Sequence, residues 1–146
     1  MRIFIASAIL AIATLFGVAQ ASAAGMTHKL AVHVDQADPA VWNLALNNVQ
    51  NVKQYYESQG DKVEVEIVAY GPGLNMLTAN SAVKERISVM ALEGPDVTFS
   101  ACGNTMKAMA KKAGHEIALV SEARVVPAGV VRLMELQSEG YTYLKP

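Results

Sequence analysis

One side chain in this sequence can do chemistry unaided. Cys102 is the sole cysteine among 146 residues, and Gly103, Asn104 and Thr105 follow it directly. A thiolate is a strong nucleophile, and the fraction of thiol ionised depends on the local field. Glycine lets a bound group approach the backbone, while Asn or Thr can cap a helix start or donate to a ligand. A thiol at the start of a helix meets unpaired N–H groups and partial positive charge, and both favour the thiolate. The residues alone leave two accounts of Cys102: a nucleophile, or a small hydrophobe under a helix, since free cysteines are among the most buried residue types. A single cysteine cannot form a disulfide within its chain.

Other candidates are weaker. Gly71-Pro72-Gly73 lacks the G-x-G-x-x-G spacing of a dinucleotide loop and reads as a turn; Gly71 and Gly73 are retained as ligand contacts, together with Pro127. His28, His33 and His115 are scattered, without metal-ligand spacing, so no metal is expected. His33, inside an apolar run, reads as a core histidine. Glu64 and Glu66 alternate along one strand and are expected to face solvent. No serine lies in a G-x-S-x-G elbow, and no motif calls for a cofactor.

The elements that must position these residues follow from periodicity. Lys29–Asp35, Lys62–Tyr70, Asp96–Ala101, Ala123–Val126 and Tyr141–Leu144 alternate or are rich in β-branched residues, as strands do. Between them lie helical patterns. The first starts at the Asp38-Pro39 cap and ends at Gly60; a short turn covers Leu74–Leu77. Helices are then expected over Ser81–Leu92, Asn104–Ala113 (with Met106 and Met109 as core stripe) and Val130–Gln137. Ile117–Val120 fits a strand or a helical turn. Tyr141, Tyr143 and Leu144 are expected to pack in the core.

Strands alternating with helices through short connections imply an α/β domain with a parallel sheet and helices on both faces. Ligands of such sheets collect at the carboxyl ends of the strands. Asp35, Gly71–Gly73, Cys102–Thr105 and Pro127–Gly129 all fall at that edge.

Composition narrows the class further. Arg2 precedes an uncharged apolar run from Ile3 to Ala19, and Ala21-Ser22-Ala23 follows. That is the layout of a secretory signal peptide, expected over residues 1–23, with one domain over 24–146. The alternative, a membrane anchor, lacks a basic stop-transfer cluster. The formal net charge is −1, and without Arg2 it becomes −2. Neither a basic patch for nucleic acid nor a polybasic stretch for a membrane surface is present.

The segments VTFSACGNTMKAM and VVPAGVVRLMELQSEGYTYLKP, with the early DQADPAVWNLALNNVQN, resemble the exported branch of the DsrE/DsrF-like family across Lys29–Pro146. The resemblance implies a three-layer α/β/α sandwich around a five-stranded parallel sheet, assembled as homo- or hetero-oligomers. It also implies sulfur handling, with the cysteine at a strand end carrying a persulfide; Cys102 holds that place here. The leading expectation is a periplasmic sulfur carrier that exchanges sulfur with a donor or acceptor protein or a small sulfane compound. In that reading Gly103, Asn104 and Thr105 steady the anion, and no stable membrane insertion follows cleavage. Two alternatives stand beside it: a non-catalytic oligomeric small-molecule-binding or assembly module, and a single-thiol redox sensor.

Overall fold

The computed structural model describes residues 25–146, so the expected signal peptide lies outside the described residues. β1 (Thr27–Val34) leads through α1 (Pro39–Glu57) to β2 (Lys62–Ala69). A 3₁₀ segment (Gly71–Leu77) and α2 (Lys84–Leu92) carry the chain to β3 (Val97–Cys102). Then follow α3 (Gly103–Ala113), β4 (Ala123–Val126), α4 (Gly129–Ser138) and β5 (Thr142–Leu144). All neighbouring strands run parallel, in the order β4-β3-β2-β1-β5. The expected α/β fold with a five-stranded parallel sheet is the fold observed.

α1 begins where the Asp38 carboxylate accepts the Ala40 N–H at 2.8 Å, with Pro39 in its first turn. Its inner face, Trp42, Ala45, Leu46 and Val49, is buried. That face packs on Leu30, Val32 and Val34 of β1 and Val65 and Ile67 of β2. Leu74, Met76 and Leu77 of the 3₁₀ segment and Ile87 and Met90 of α2 complete this main core. Truncating a fully buried member such as Leu46 to alanine costs about 2–5 kcal/mol. Met106 and Met109 of α3 pack against the same side. On the opposite side, among the described residues, only α4 covers the sheet, through Leu133 and Leu136 on Ala31 and Val68.

The chain direction follows from those layers. β1 to β4 step one way across the sheet, with their connections on the main-core side. α4 then crosses back over the other side and delivers β5 to the far edge beside β1. β3 therefore feeds a helix on one face and β4 a helix on the other. The crevice of an open parallel sheet lies between two such strand ends.

Four expectations change. Glu64 is exposed, but Glu66 is only 2% exposed. β2 is the middle strand of the sheet, and α4 lies over the side on which Glu66 projects, closing it from solvent. The helix expected from Ser81 begins at Lys84, because the Ser81 hydroxyl takes the Val83 N–H at 3.3 Å and holds a turn there. Ile117–Val120 adds no strand to the sheet. It runs antiparallel along the end of the 3₁₀ segment, through a Thr78–Leu119 bridge and the Val120 N–H to Leu77 carbonyl bond of 2.9 Å. Of the C-terminal residues, Tyr141 and Leu144 are half-buried against the two cores, whereas Tyr143 is exposed on edge strand β5.

Candidate functional site

Cys102 ends β3 and caps α3, with extended backbone at φ −69° and ψ 113°. Its position opposite Val126 in the β3–β4 register puts it at the crevice between the two strand ends. It is 5% exposed. Two helix starts meet there, since α3 opens at Gly103 and α4 at Gly129.

The thiol responds to both. Burial pushes its pKa up, but the Thr105 hydroxyl and the backbone N–H groups of Gly129, Thr105 and Asn104 outweigh burial and hold it below the ordinary cysteine value. Thr105 is oriented for this. Its Oγ1 accepts the Gly71 N–H at 2.9 Å, so its own proton is free for an acceptor other than Gly71.

Glycines permit this convergence. A Cβ on Gly129 would lie 3.0 Å from Tyr70 carbons and 3.2 Å from the Cys102 Cβ. A Cβ on Gly103 would lie 3.1 Å from the Val126 carbonyl oxygen. The Asn104 N–H also donates to the Pro127 carbonyl at 3.3 Å, tying the β3–α3 and β4–α4 turns together. Pro127 thus acts through its backbone at the junction. Gly71 adopts φ +53°, a conformation that favours glycine. Gly73 is elsewhere in the packing: a Cβ on it would lie 2.3 Å from the Val34 carbonyl oxygen, so its smallness seats the 3₁₀ segment on the end of β1. It does not line the cleft beside the site.

That cleft, of about 820 Å³, runs between the 3₁₀ segment and α3. Gly71, Asn104 and Thr105 form its inner end and Lys112 lines it two helical turns further on.

A polar row extends from Cys102 along the strand ends, and sequence reasoning missed most of it. The Tyr70 ring stacks on His33 with centroids 4.7 Å apart. His33 Nδ1 shares a 2.6 Å hydrogen bond with the Tyr143 hydroxyl. Its Nε2 lies 3.6 Å from Asp35, beyond hydrogen-bond reach. Asp35 in turn accepts from Lys145 Nζ at 2.6 Å. Burial keeps His33 below the usual imidazole value, against the pull of Asp35 and with a smaller push from Lys145, so it is neutral at pH 7. The hydrogen bond from Lys145 chiefly holds Asp35 below the usual carboxylate value. The available signal was parity: Asp35, His33, Tyr70 and Cys102 share the sheet face that Glu66 and Val68 occupy.

Beneath this row, Glu66 ties α4 to the sheet. It accepts Arg132 Nε at 2.9 Å, the Ser100 hydroxyl at 2.6 Å and the Arg124 guanidinium. Arg132 sits in the first turn of α4, so this buried cluster sets where Gly129 and its N–H lie relative to the thiol.

The DsrE/DsrF-like family profile matches residues 21–146. The fold is similar to that of MTH1491, a protein of unknown function from Methanobacterium thermoautotrophicum. The TM-score is 0.68 and the identity 32%, over 82% of this chain and 99% of that one. No curated protein matches the chain.

Proposed function

The chain belongs to the DsrE/DsrF-like family, a family linked to sulfur relay, and from that premise we propose that it is an exported, periplasmic sulfur carrier holding a persulfide on Cys102. The carrying observation is that Cys102 is the N-cap of α3 with the start of α4 packed against it, a Cβ on Gly129 falling 3.2 Å from its own, so the donors of two helix starts bear on one thiol and hold it below the ordinary cysteine value. Donors in that number favour an anionic sulfur. A pKa below the ordinary cysteine value raises the thiolate fraction, and attack by the thiolate needs no separate general base.

The step balances without an oxidant. The Cys102 thiolate attacks a terminal sulfur of a polysulfide dianion. One S–S bond forms, one breaks, and the polysulfide leaves shorter by one sulfur with its two charges. Cys102 then carries a persulfide anion for an acceptor thiolate to take. Sulfur comes from, and passes to, a partner protein or a small sulfane compound.

Assembly into homo-oligomers is part of the same reading. Val130, Val131 and Met134 are each about half exposed or more and lie on neighbouring positions of α4, an apolar surface suited to a second copy. Export rests on the charge and hydropathy pattern of residues 1–23, tested by N-terminal sequencing of the protein recovered from the periplasm.

Intact mass after polysulfide exposure tests the carrier. The expected result is a gain of whole sulfur atoms that reductant removes and that Cys102→Ser lacks. An unchanged mass on a thiol that alkylates readily would favour a binding or assembly module instead. The 5% exposure of Cys102 is the observation on that side, and it also weighs against a redox sensor, whose thiol must meet oxidant freely.

A further inference from the structure

We propose that the cleft between the Gly71–Leu77 segment and α3 binds the organic part of a low-molecular-weight persulfide, an apolar body ending in a carboxylate. This deepens, and rests on, the reading of Cys102 as a sulfur carrier. At about 820 Å³ the cleft falls in the range of small-molecule sites and is far larger than a short inorganic polysulfide requires. Its walls are mostly carbon: Pro72 beside Asn75 on one side, Ala108, Met109 and Ala113 on the other, and Ile117 beyond them.

Its two ends differ in chemistry. Thr105, at the inner end, stands in the first turn of the helix whose N-cap is Cys102, and Cys102 lies next to the lining rather than in it. Lys112, seven residues further along α3, lines the outer end. Positions i, i+3, i+4 and i+7 share one helix face, so Thr105, Ala108, Met109 and Lys112 form a continuous strip about 10 Å long. No acidic side chain lines the cleft, and Lys112 makes no ion pair among the described residues. A ligand with sulfur at one end, an apolar middle and an anion at the other matches that order.

The reaction with such a donor, R–S–SH, also balances. The Cys102 thiolate attacks the outer sulfur, the donor's S–S bond breaks, and R–S⁻ leaves with the charge. The outer sulfur stays on Cys102 with its proton. The cleft holds R, so it selects among donors.

The experiment compares three donors on the purified full chain, following Cys102 persulfide by intact mass over time. They are inorganic tetrasulfide, the persulfide of 4-(mercaptomethyl)benzoate, and the same persulfide as its methyl ester. Ala108 and Lys112 are exposed, so A108F and K112Q should fold; thermal melts check this. A108F should slow loading from both organic donors about tenfold, as a lost binding free energy of about 1.4 kcal/mol does, with tetrasulfide unchanged within twofold. K112Q should slow the acid about threefold, as expected for one exposed ion pair, and leave the ester unchanged. Loading by tetrasulfide alone, or organic loading indifferent to A108F, overturns the cleft assignment and leaves the carrier standing. Loading by none of the three overturns both.

Discussion

Gly129 lies so close to Cys102 that a Cβ on it would stand 3.2 Å from the Cys102 Cβ, though 27 positions separate the two in the chain. The start of α4 therefore packs directly against the residue that starts α3, and the Gly129 N–H is among the groups that lower the thiol's pKa. Gly129→Ala must push back this helix start or displace the Tyr70 ring, 3.0 Å from the same Cβ. Overpacking of this kind costs about 1–3 kcal/mol. We expect a lower urea midpoint and, because one donor withdraws from the sulfur, slower alkylation by iodoacetamide at pH 7. Unchanged alkylation in a destabilised variant would separate packing from thiolate support.

Thr105 links Gly71 to Cys102. Thr105→Val keeps the shape, removes the hydroxyl from the sulfur and leaves the Gly71 N–H without its 2.9 Å acceptor. A lost hydrogen bond to a charged group predicts alkylation at neutral pH slower by about fivefold or more, and the orphaned N–H a stability loss of about 1–2 kcal/mol. Thr105→Ser retains the hydroxyl and should recover most of both. Failure of the serine variant to recover the rate would show that the hydroxyl alone does not support the thiolate.

How far the site could be read from sequence depended on how local each relationship is. Strand alternation, the Asp38-Pro39 cap and the glycine-proline breaks act within a few residues, so the β-α order and the placing of Cys102 at a strand–helix junction were legible. The surroundings of the thiol were not. Tyr143 meets His33 across 110 positions and Arg132 meets Glu66 across 66. Period-two alternation says that Glu64 and Glu66 share a face, but not that α4 comes to cover one of them. Gly73 packs on β1 instead of lining the cleft for a related reason. A glycine near a ligand edge and a glycine under a neighbouring strand look alike until the strand order β4-β3-β2-β1-β5 puts the end of β1 beside it.

Glu66 offers a test of how the buried cluster holds α4. Burial raises its pKa, but hydrogen bonds from Arg132, Ser100 and Arg124 outweigh burial and hold it below the usual carboxylate value. Glu66→Gln leaves two guanidinium groups without their shared anion, a loss of about 3 kcal/mol where one partner of a buried pair is removed. The pH dependence has a definite sign. A carboxylate with a depressed folded pKa contributes fully above its unfolded value, about 4.3, and loses that contribution as pH falls through the lower folded value. Wild type should therefore lose stability in acid more steeply than E66Q, and the two urea midpoints should draw together at low pH. Parallel curves would show that Glu66 is not ionised in the native protein.

Cys102 titrates by the same logic in the alkaline range. Its folded pKa is lowered because the Thr105 hydroxyl and three backbone N–H groups prevail over burial, whereas the unfolded thiol titrates near 8.5. Between the two values the unfolded chain binds more protons, so native stability rises with pH there. The contribution is complete above the unfolded value and disappears as pH falls through the folded one. The stability difference between wild type and Cys102→Ser, from urea titrations at closely spaced pH values, should therefore grow in favour of wild type as pH rises and level off above about pH 9. Thr105→Val should flatten that rise. A difference independent of pH, with alkylation following a free-cysteine profile, would mean that the two helix starts do not act on the sulfur.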